Sequence, residues 1–140
     1  MAIKMRILYA SSKKKINLLA NDIKAKYELA FNSVDVIPPA YSCDKERIVI
    51  LAISAKGDVS DAVRLFCREL TKARAQNVAL MIDGDEAVAN KLRDILAEAG
   101  TNVLEEVCYV NGGNIFASKP KPEEKEAIYA WIDRCIANLK

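Results

Sequence analysis

The sequence predicts an α/β domain in which helices cover both faces of a five-stranded parallel sheet, a three-layer sandwich with strand order 2-1-3-4-5. Short runs rich in β-branched residues alternate with longer apolar stripes at three- and four-residue spacing, the pattern of alternating strands and amphipathic helices. No Gly/Ser linker, repeat or low-complexity block interrupts this alternation, so residues 1–140 are predicted to form one domain. Because parallel crossovers are right-handed, few topologies remain, and the order 2-1-3-4-5 buries the first, third and fourth strands.

The first two strands are predicted on either side of one helix. Residues 5–10 form a buried strand, and residues 34–37 form a short second strand that ends at Pro38 and Pro39, because proline cannot donate to a ladder. The intervening helix places six apolar residues on one face: Ile16, Leu19, Ala20, Ile23, Tyr27 and Phe31. Residues 40–46 are predicted to be a loop, so the second crossover lacks a proper helix.

The middle of the chain predicts a central strand, a helix and a fourth strand. Residues 47–53 are the most continuous apolar run, as expected of a parallel strand covered on both faces. Residues 77–82 form the fourth strand. The helix between them has the stripe Val59, Ala62, Val63, Phe66, Cys67 and Leu70.

The last third of the chain predicts two more helices around a fifth strand. Asp85 is expected to cap a helix that Gly100 ends, and residues 102–110 form the fifth strand. Residues 111–114, NGGN, are a turn, and Pro120 and Pro122 precede the closing helix. The core faces of the two helices are Val88, Leu92, Ile95, Leu96 and Ala99, then Ile128, Trp131, Ile132, Cys135, Ile136 and Leu139.

Composition excludes several kinds of function. A net charge of +2 gives no reason to expect nucleic acid or an anionic membrane as a partner, and no apolar run is long enough to cross a bilayer. The chain has four dispersed cysteines and no histidine, so no zinc site and no other metal site is predicted. The lack of histidine also excludes Ser-His and Cys-His nucleophile arrangements. Cys67 and Cys135 fall on apolar helix faces and are expected to be buried, which favours a cytoplasmic location.

Ligands of this architecture bind at the carboxyl ends of the strands where the strand order reverses. The residues at those ends are Ser11, Ser12, Lys13, Lys14 and Lys15 after strand one, Ser54, Ala55, Lys56 and Gly57 after strand three, and Asp83, Gly84 and Asp85 after strand four. For residues 83–85, a turn followed by a helix cap is favoured over metal binding, because two carboxylates make a poor cage. A phosphoacceptor receiver domain is excluded, since it needs acidic residues where Ser11, Ser12 and Ser54 stand.

Residues 9–20, YASSKKKINLLA, resemble the opening strand, phosphate-binding loop and helix of flavodoxins. Ser11 matches the first hydroxyl position of that family, but Lys13, Lys14 and Ile16 stand where the family has threonine, glycine and threonine. Residues 50–70, ILAISAKGDVSDAVRLFCREL, are similar to the third strand, the flavin-flanking loop and the helix after it. The family often has an aromatic ring in that loop, where this chain has Ala55, Lys56 and Gly57.

The resemblance implies a flavodoxin-like fold and noncovalent FMN, in an electron carrier or small oxidoreductase with a redox partner protein. Residues 11–17, Ile16 included, would then surround the phosphate, with residues 54–57 and 83–85 beside the ring. The alternative is a flavin-free relative that acts as an anion-binding or protein-interaction module. For the three lysines, two hypotheses stay open: a solvated first turn, or neutralisation of a phosphate-bearing ligand or an acidic partner.

Overall fold

The computed structural model describes residues 3–113 and 118–140. The strands are β1 (Met5–Ala10), β2 (Val34–Val36), β3 (Ile48–Ser54), β4 (Asn77–Asp83), β5 (Asn102–Val103) and β6 (Cys108–Tyr109). The helices are α1 (Lys14–Lys26), α2 (Asp61–Arg68), α3 (Glu86–Ala99) and α4 (Pro122–Ala137).

The sheet is parallel throughout, with the order β2-β1-β3-β4-β5. This confirms the predicted order. The predicted fifth strand is divided: β5 pairs with the beginning of β4 and β6 pairs with its end. Between these two strands the backbone leaves the ladder. There Arg93 Nη2 donates to the carbonyl of Glu105 (2.8 Å), and Trp131 Nε1 donates to the carbonyl of Glu106 (2.9 Å).

Helices cover both faces of the sheet, as the sequence predicts. Alternate residues of each central strand enter opposite cores, so Ile7 and Ile50 pack against α1 and α4, whereas Leu8 and Leu51 pack against α2 and α3. Cys67 and Cys135 are buried in these two cores, as expected, and burial raises the pKa of each thiol to about 12. In the described residues, no helix has the length and apolar character that crossing a membrane requires.

The helix boundaries follow local capping chemistry. Ser60 Oγ accepts from the Val63 N–H (3.3 Å) at the start of α2, and Asp85 Oδ1 accepts from the Val88 N–H (3.1 Å) at the start of α3. Gly100 ends α3 in the left-handed conformation, with φ 110°. The predicted cap and stop of α3 are therefore confirmed.

The prediction that Phe31 lies on the core face of α1 is wrong. The helix ends at Lys26, because Glu28 adopts a left-handed conformation (φ 52°) and the Leu29 N–H donates back to the Lys24 carbonyl (3.0 Å). Phe31 lies beyond this reversal and is 94% exposed. Leu29 packs against the core instead.

The crossover from β2 to β3 contains no helix, and every residue in it is described. The predicted loop is therefore confirmed. Ile37 and Cys43 from this loop are buried and pack into the core on the α2 and α3 face. Residues 37–47 thus cover a part of the sheet that a crossover helix covers in a regular doubly wound fold.

Candidate functional site

Three loops meet at the carboxyl edge of the sheet, and the residues that end their strands are in direct contact. Ser54 and Asp83 are aligned partners at the ends of β3 and β4. Ser54 Oγ lies 2.9 Å from Asp83 Oδ2 and 2.7 Å from Ser11 Oγ. Because a carboxylate only accepts, Ser54 donates its one proton to Asp83 and accepts from Ser11. The Lys13 N–H donates to Ser11 Oγ (3.1 Å), which completes the chain of hydrogen bonds.

Asp83 is the centre of this network. Its carboxylate accepts from Lys13 Nζ (2.7 Å) and from Ser54 Oγ (2.9 Å). Burial alone would raise the pKa of Asp83, but the bond from Lys13, the nearby backbone N–H of Gly112 and the bond from Ser54 together hold this pKa below its usual value. Asp83 is therefore ionised at neutral pH, and its charge is paired within the chain.

Two glycines allow the loops to approach this closely. A Cβ on Gly112 would lie 2.2 Å from Asp83 Oδ2 and 2.5 Å from Lys13 Cδ. A Cβ on Gly84 would lie 2.4 Å from the carbonyl oxygen of Ala55, whose N–H donates to the Asp83 carbonyl (3.1 Å). Sequence reasoning did not place Gly112 in the site, and the adjacent glycines after the fifth strand were the available signal.

The three lysines of the first loop have different surroundings. Lys13 crosses the edge of the sheet to Asp83, and Lys14 is exposed. Lys15 is buried, with a side chain only 6% exposed, and its Nζ lies 2.6 Å from Glu124 Oε2. The hydrogen bond from Lys15 lowers the pKa of Glu124. The hypothesis of a solvated first turn is therefore wrong for Lys15, whose partner on α4 the sequence did not indicate.

A shallow depression of about 360 Å³ opens beside the first turn of α1. It is lined by Ser11, Ser12, Lys13, Lys14, Asn17 and Leu18. The N-cap position is Lys13, which supplies no side-chain cap, so the first N–H groups of the helix have no capping side chain there. Ile16 points the other way and is buried in the core under α1.

The remaining predicted residues line the edge without joining the network. Lys56 and Gly57 are exposed in a tight turn in which the Asp58 N–H donates to the Lys56 carbonyl (2.8 Å) and Gly57 has φ 73°. Asp85 serves as the cap of α3, as predicted. The turn predicted at residues 111–114 begins with the Gly113 N–H donating to Asn111 Oδ1 (2.8 Å), and Asn114 lies outside the described residues.

The residues present do not fit the customary cradle for FMN phosphate. That cradle depends on hydroxyl donors and on a glycine that lets the backbone approach the phosphate. Ile16 contributes only a buried apolar side chain, and Lys13 reaches to Asp83 across the edge. The loops after β3 and β4 offer Ala55, Lys56, Gly57 and Gly84, none of which has a ring that could stack on a flavin.

No cluster of three or more histidine, cysteine, aspartate or glutamate side chains that could hold a metal ion occurs within residues 3–113 and 118–140. No protein-family model matches the chain, and no curated protein matches it. Among solved structures, oxidised flavodoxin 1 from Bacillus cereus is similar, with a TM-score of 0.65 and 18% sequence identity over 97% of this chain and 99% of that one. Together with the sheet order, this similarity confirms the flavodoxin-like fold.

Proposed function

We propose that the chain is a flavin-free binding module on a flavodoxin-like scaffold, and that it binds an anionic group of a ligand or partner protein beside the first turn of α1. The observation that supports this most directly is the closed network of Ser11, Lys13, Ser54 and Asp83. This network ties together the three loops between which the fold family holds its ligand. The ammonium of Lys13 and the carboxylate of Asp83 therefore occupy the space between these three loops.

The binding surface that remains is the depression next to this network. Ser12 and Lys14 are exposed there, and the first turn of α1 presents N–H groups without a capping side chain. Helix N-termini attract anions through these groups and through the helix dipole. Lys14 adds a charge with no carboxylate within 4 Å among the described residues. We expect a phosphoryl or carboxylate group to bind here, with an affinity that falls as salt rises.

The second candidate function is an FMN-dependent electron carrier or small oxidoreductase. The observation that favours it is the similarity of fold to a flavodoxin over nearly the whole chain. In this case residues 11–17 would hold the phosphate, and residues 54–57 and 83–85 would flank the ring. The chemistry would belong to the flavin, and the protein would bind and orient it.

One experiment separates the two functions. The visible spectrum of the purified protein is recorded, and the protein is then titrated with FMN while flavin fluorescence is followed. The flavin-free module predicts a colourless preparation, and any quenching that arises because the FMN phosphate binds beside α1 should be abolished by competing inorganic phosphate. A yellow preparation, or saturable quenching that inorganic phosphate does not reverse, would favour the electron carrier.

The anion site is tested in the same preparation with inorganic phosphate as the probe, followed by amide chemical shifts. We expect saturable shifts at residues 12–17, reduced in Lys14→Ala and unchanged in the matched control Lys72→Ala, which removes an exposed lysine outside this depression. Shifts that do not saturate, or that respond equally to both substitutions, would contradict the assignment of this surface.

A further inference from the structure

A second cavity lies at the opposite edge of the sheet, where the crossover helix between β2 and β3 is missing. It has a volume of about 480 Å³ and lies between the α1–β2 connection and the loop that precedes β3. Its walls include five apolar or aromatic residues, which are Ile3, Met5, Leu29, Ala30 and Tyr41. It is also lined by Arg6, the one charged residue in the otherwise apolar strand β1.

Arg6 is buried, and three of its five N–H donors are unsatisfied within the described residues. The residue is 7% exposed, and its Nη1 donates to the Tyr41 carbonyl (2.8 Å) and towards Cys43 Sγ (3.7 Å). Its Nε and Nη2 atoms have no hydrogen-bond partner among residues 3–113 and 118–140. These two atoms form one edge of the guanidinium, and their N–H bonds point in parallel. Such a fork matches the two oxygens of a carboxylate.

An unsatisfied acceptor lines the same cavity. Glu46 is 5% exposed, and its Oε1 lies 3.7 Å from Lys4 Nζ, whereas Oε2 has no partner in the described part of the chain. Burial raises the pKa of Glu46 more than the neighbouring charges of Lys4 and Arg6 lower it. A buried carboxylate in this condition is stabilised by an added positive donor.

Buried donors and acceptors in native proteins are nearly always paired, so unpaired groups of opposite charge in one cavity indicate a missing partner. We propose that this cavity binds a free α-amino acid with an apolar side chain. The carboxylate of the ligand pairs with the Nε and Nη2 edge of Arg6, and its ammonium donates to Glu46 Oε2. The apolar side chain of the ligand packs against Leu29, Ala30 and Tyr41.

This chemistry selects a zwitterion over a simple anion. A phosphate dianion would satisfy Arg6 but would be repelled by the carboxylate of Glu46. A zwitterion matches the unpaired edge of Arg6 and the unpaired oxygen of Glu46; Lys4, Glu28 and Asp44 also line the cavity. The cavity volume lies in the range of small-molecule sites. Because Arg6 Nε, Arg6 Nη2 and Glu46 Oε2 are fully buried, binding displaces part of the segment 42–44, which contacts Lys4 through the Asp44 carbonyl.

The test is a titration of the whole chain with L-leucine, followed by amide chemical shifts. Two matched probes each lack one charged group: isoamylamine has no carboxylate, and 4-methylpentanoate has no ammonium. We expect saturable shifts at Leu29, Ala30 and Tyr41 with leucine, and binding at least tenfold weaker with either probe.

Substitutions of Arg6 and Glu46 test the roles of these two residues. If a variant is unstable, the comparison of leucine with the two probes on the wild-type chain still tests the proposal. Arg6→Met and Glu46→Gln should each weaken leucine binding at least tenfold, whereas the exposed controls Arg68→Met and Glu98→Gln should not change it. Equal binding of all three ligands would overturn the proposal, as would the absence of saturable shifts. A crystal structure grown with leucine in which Arg6 pairs directly with Glu46 in an empty cavity would also overturn it. None of these results depends on the proposed anion site at the other edge.

Discussion

Gly112→Ala should disrupt the network at the carboxyl edge without touching any residue of the core. The new Cβ would lie 2.2 Å from Asp83 Oδ2, so the two atoms must separate by about another 1.2 Å to reach an ordinary contact of 3.4 Å. Asp83 cannot move this far and keep bonds of 2.7 Å to Lys13 and 2.9 Å to Ser54. The substitution therefore converts a paired carboxylate, only 12% exposed, into a poorly paired one.

The cost follows from the bonds that are lost. The hydrogen bond from Ser54 contributes about 1 kcal/mol. The bond from the half-exposed Lys13 adds less, because solvent screens it. We therefore expect the free energy of unfolding to fall by about 1–2 kcal/mol, which lowers the melting temperature of a chain of this length by about 3–7 °C. The pKa of Asp83 should rise towards the usual aspartate value at the same time.

The assay combines urea denaturation with a pH titration of the Asp83 carboxyl carbon by NMR. Gly57→Ala is the matched control, since its φ of 73° strains alanine although no atom lies within 4 Å of the new Cβ. It should cost about 1 kcal/mol and leave the pKa of Asp83 unchanged. If Gly112→Ala is as stable as the wild type and the pKa of Asp83 stays low, the close approach does not organise this network.

Three further predictions concern single side chains. Lys15→Ala should lower the free energy of unfolding by about 1–2 kcal/mol, because it removes the ion pair between Lys15 and Glu124 Oε2. Lys14→Ala should change this free energy by less than about 0.5 kcal/mol, because Lys14 is exposed. Both values are measured by urea denaturation, and equal effects of the two substitutions would contradict the prediction. Ile16→Thr should lower the free energy of unfolding by about 2 kcal/mol, because it places a hydroxyl in the core, and Ile16→Val should lower it by about 1 kcal/mol. If thermal melts show equal losses for the two variants, the introduced hydroxyl has found a hydrogen-bond partner. Because burial raises the pKa of Glu46, the free energy of unfolding should decrease as pH rises from about 4.5 through that raised pKa. Glu46→Gln should remove this decrease. Parallel stability–pH curves for the wild type and the variant would refute the raised pKa of Glu46.

The sheet was predictable because its central strands are buried on both faces. Such strands need uninterrupted apolar runs, and residues 47–53 and 77–82 supply them. The start and end of α3 were predictable for a related reason, since Asp85 and Gly100 are residue types that favour those positions. The end of α1 was not predictable, because glutamate seldom adopts the left-handed conformation that Glu28 has.

The contacts at the carboxyl edge of the sheet were predictable in place but not in detail. The topology rule brings together the strand ends, and the structure puts Ser11, Ser54 and Asp83 in contact there. The roles of adjacent lysines depend on partners that are distant in sequence. Lys13 and Lys15 acquire their carboxylates from β4 and α4, and no local pattern distinguishes them from Lys14.

The division of the last strand has a consequence for association between copies of the chain. An edge strand with a continuous row of free N–H and C=O groups is a template on which another molecule can add its own strand. Here the row is interrupted, because the carbonyls of Glu105 and Glu106 already accept bonds from Arg93 and Trp131. Only the two-residue segments β5 and β6 stay in strand conformation on this side of β4, too short to guide an incoming strand into register. The interruption protects this edge of the sheet against pairing with the strand of another molecule.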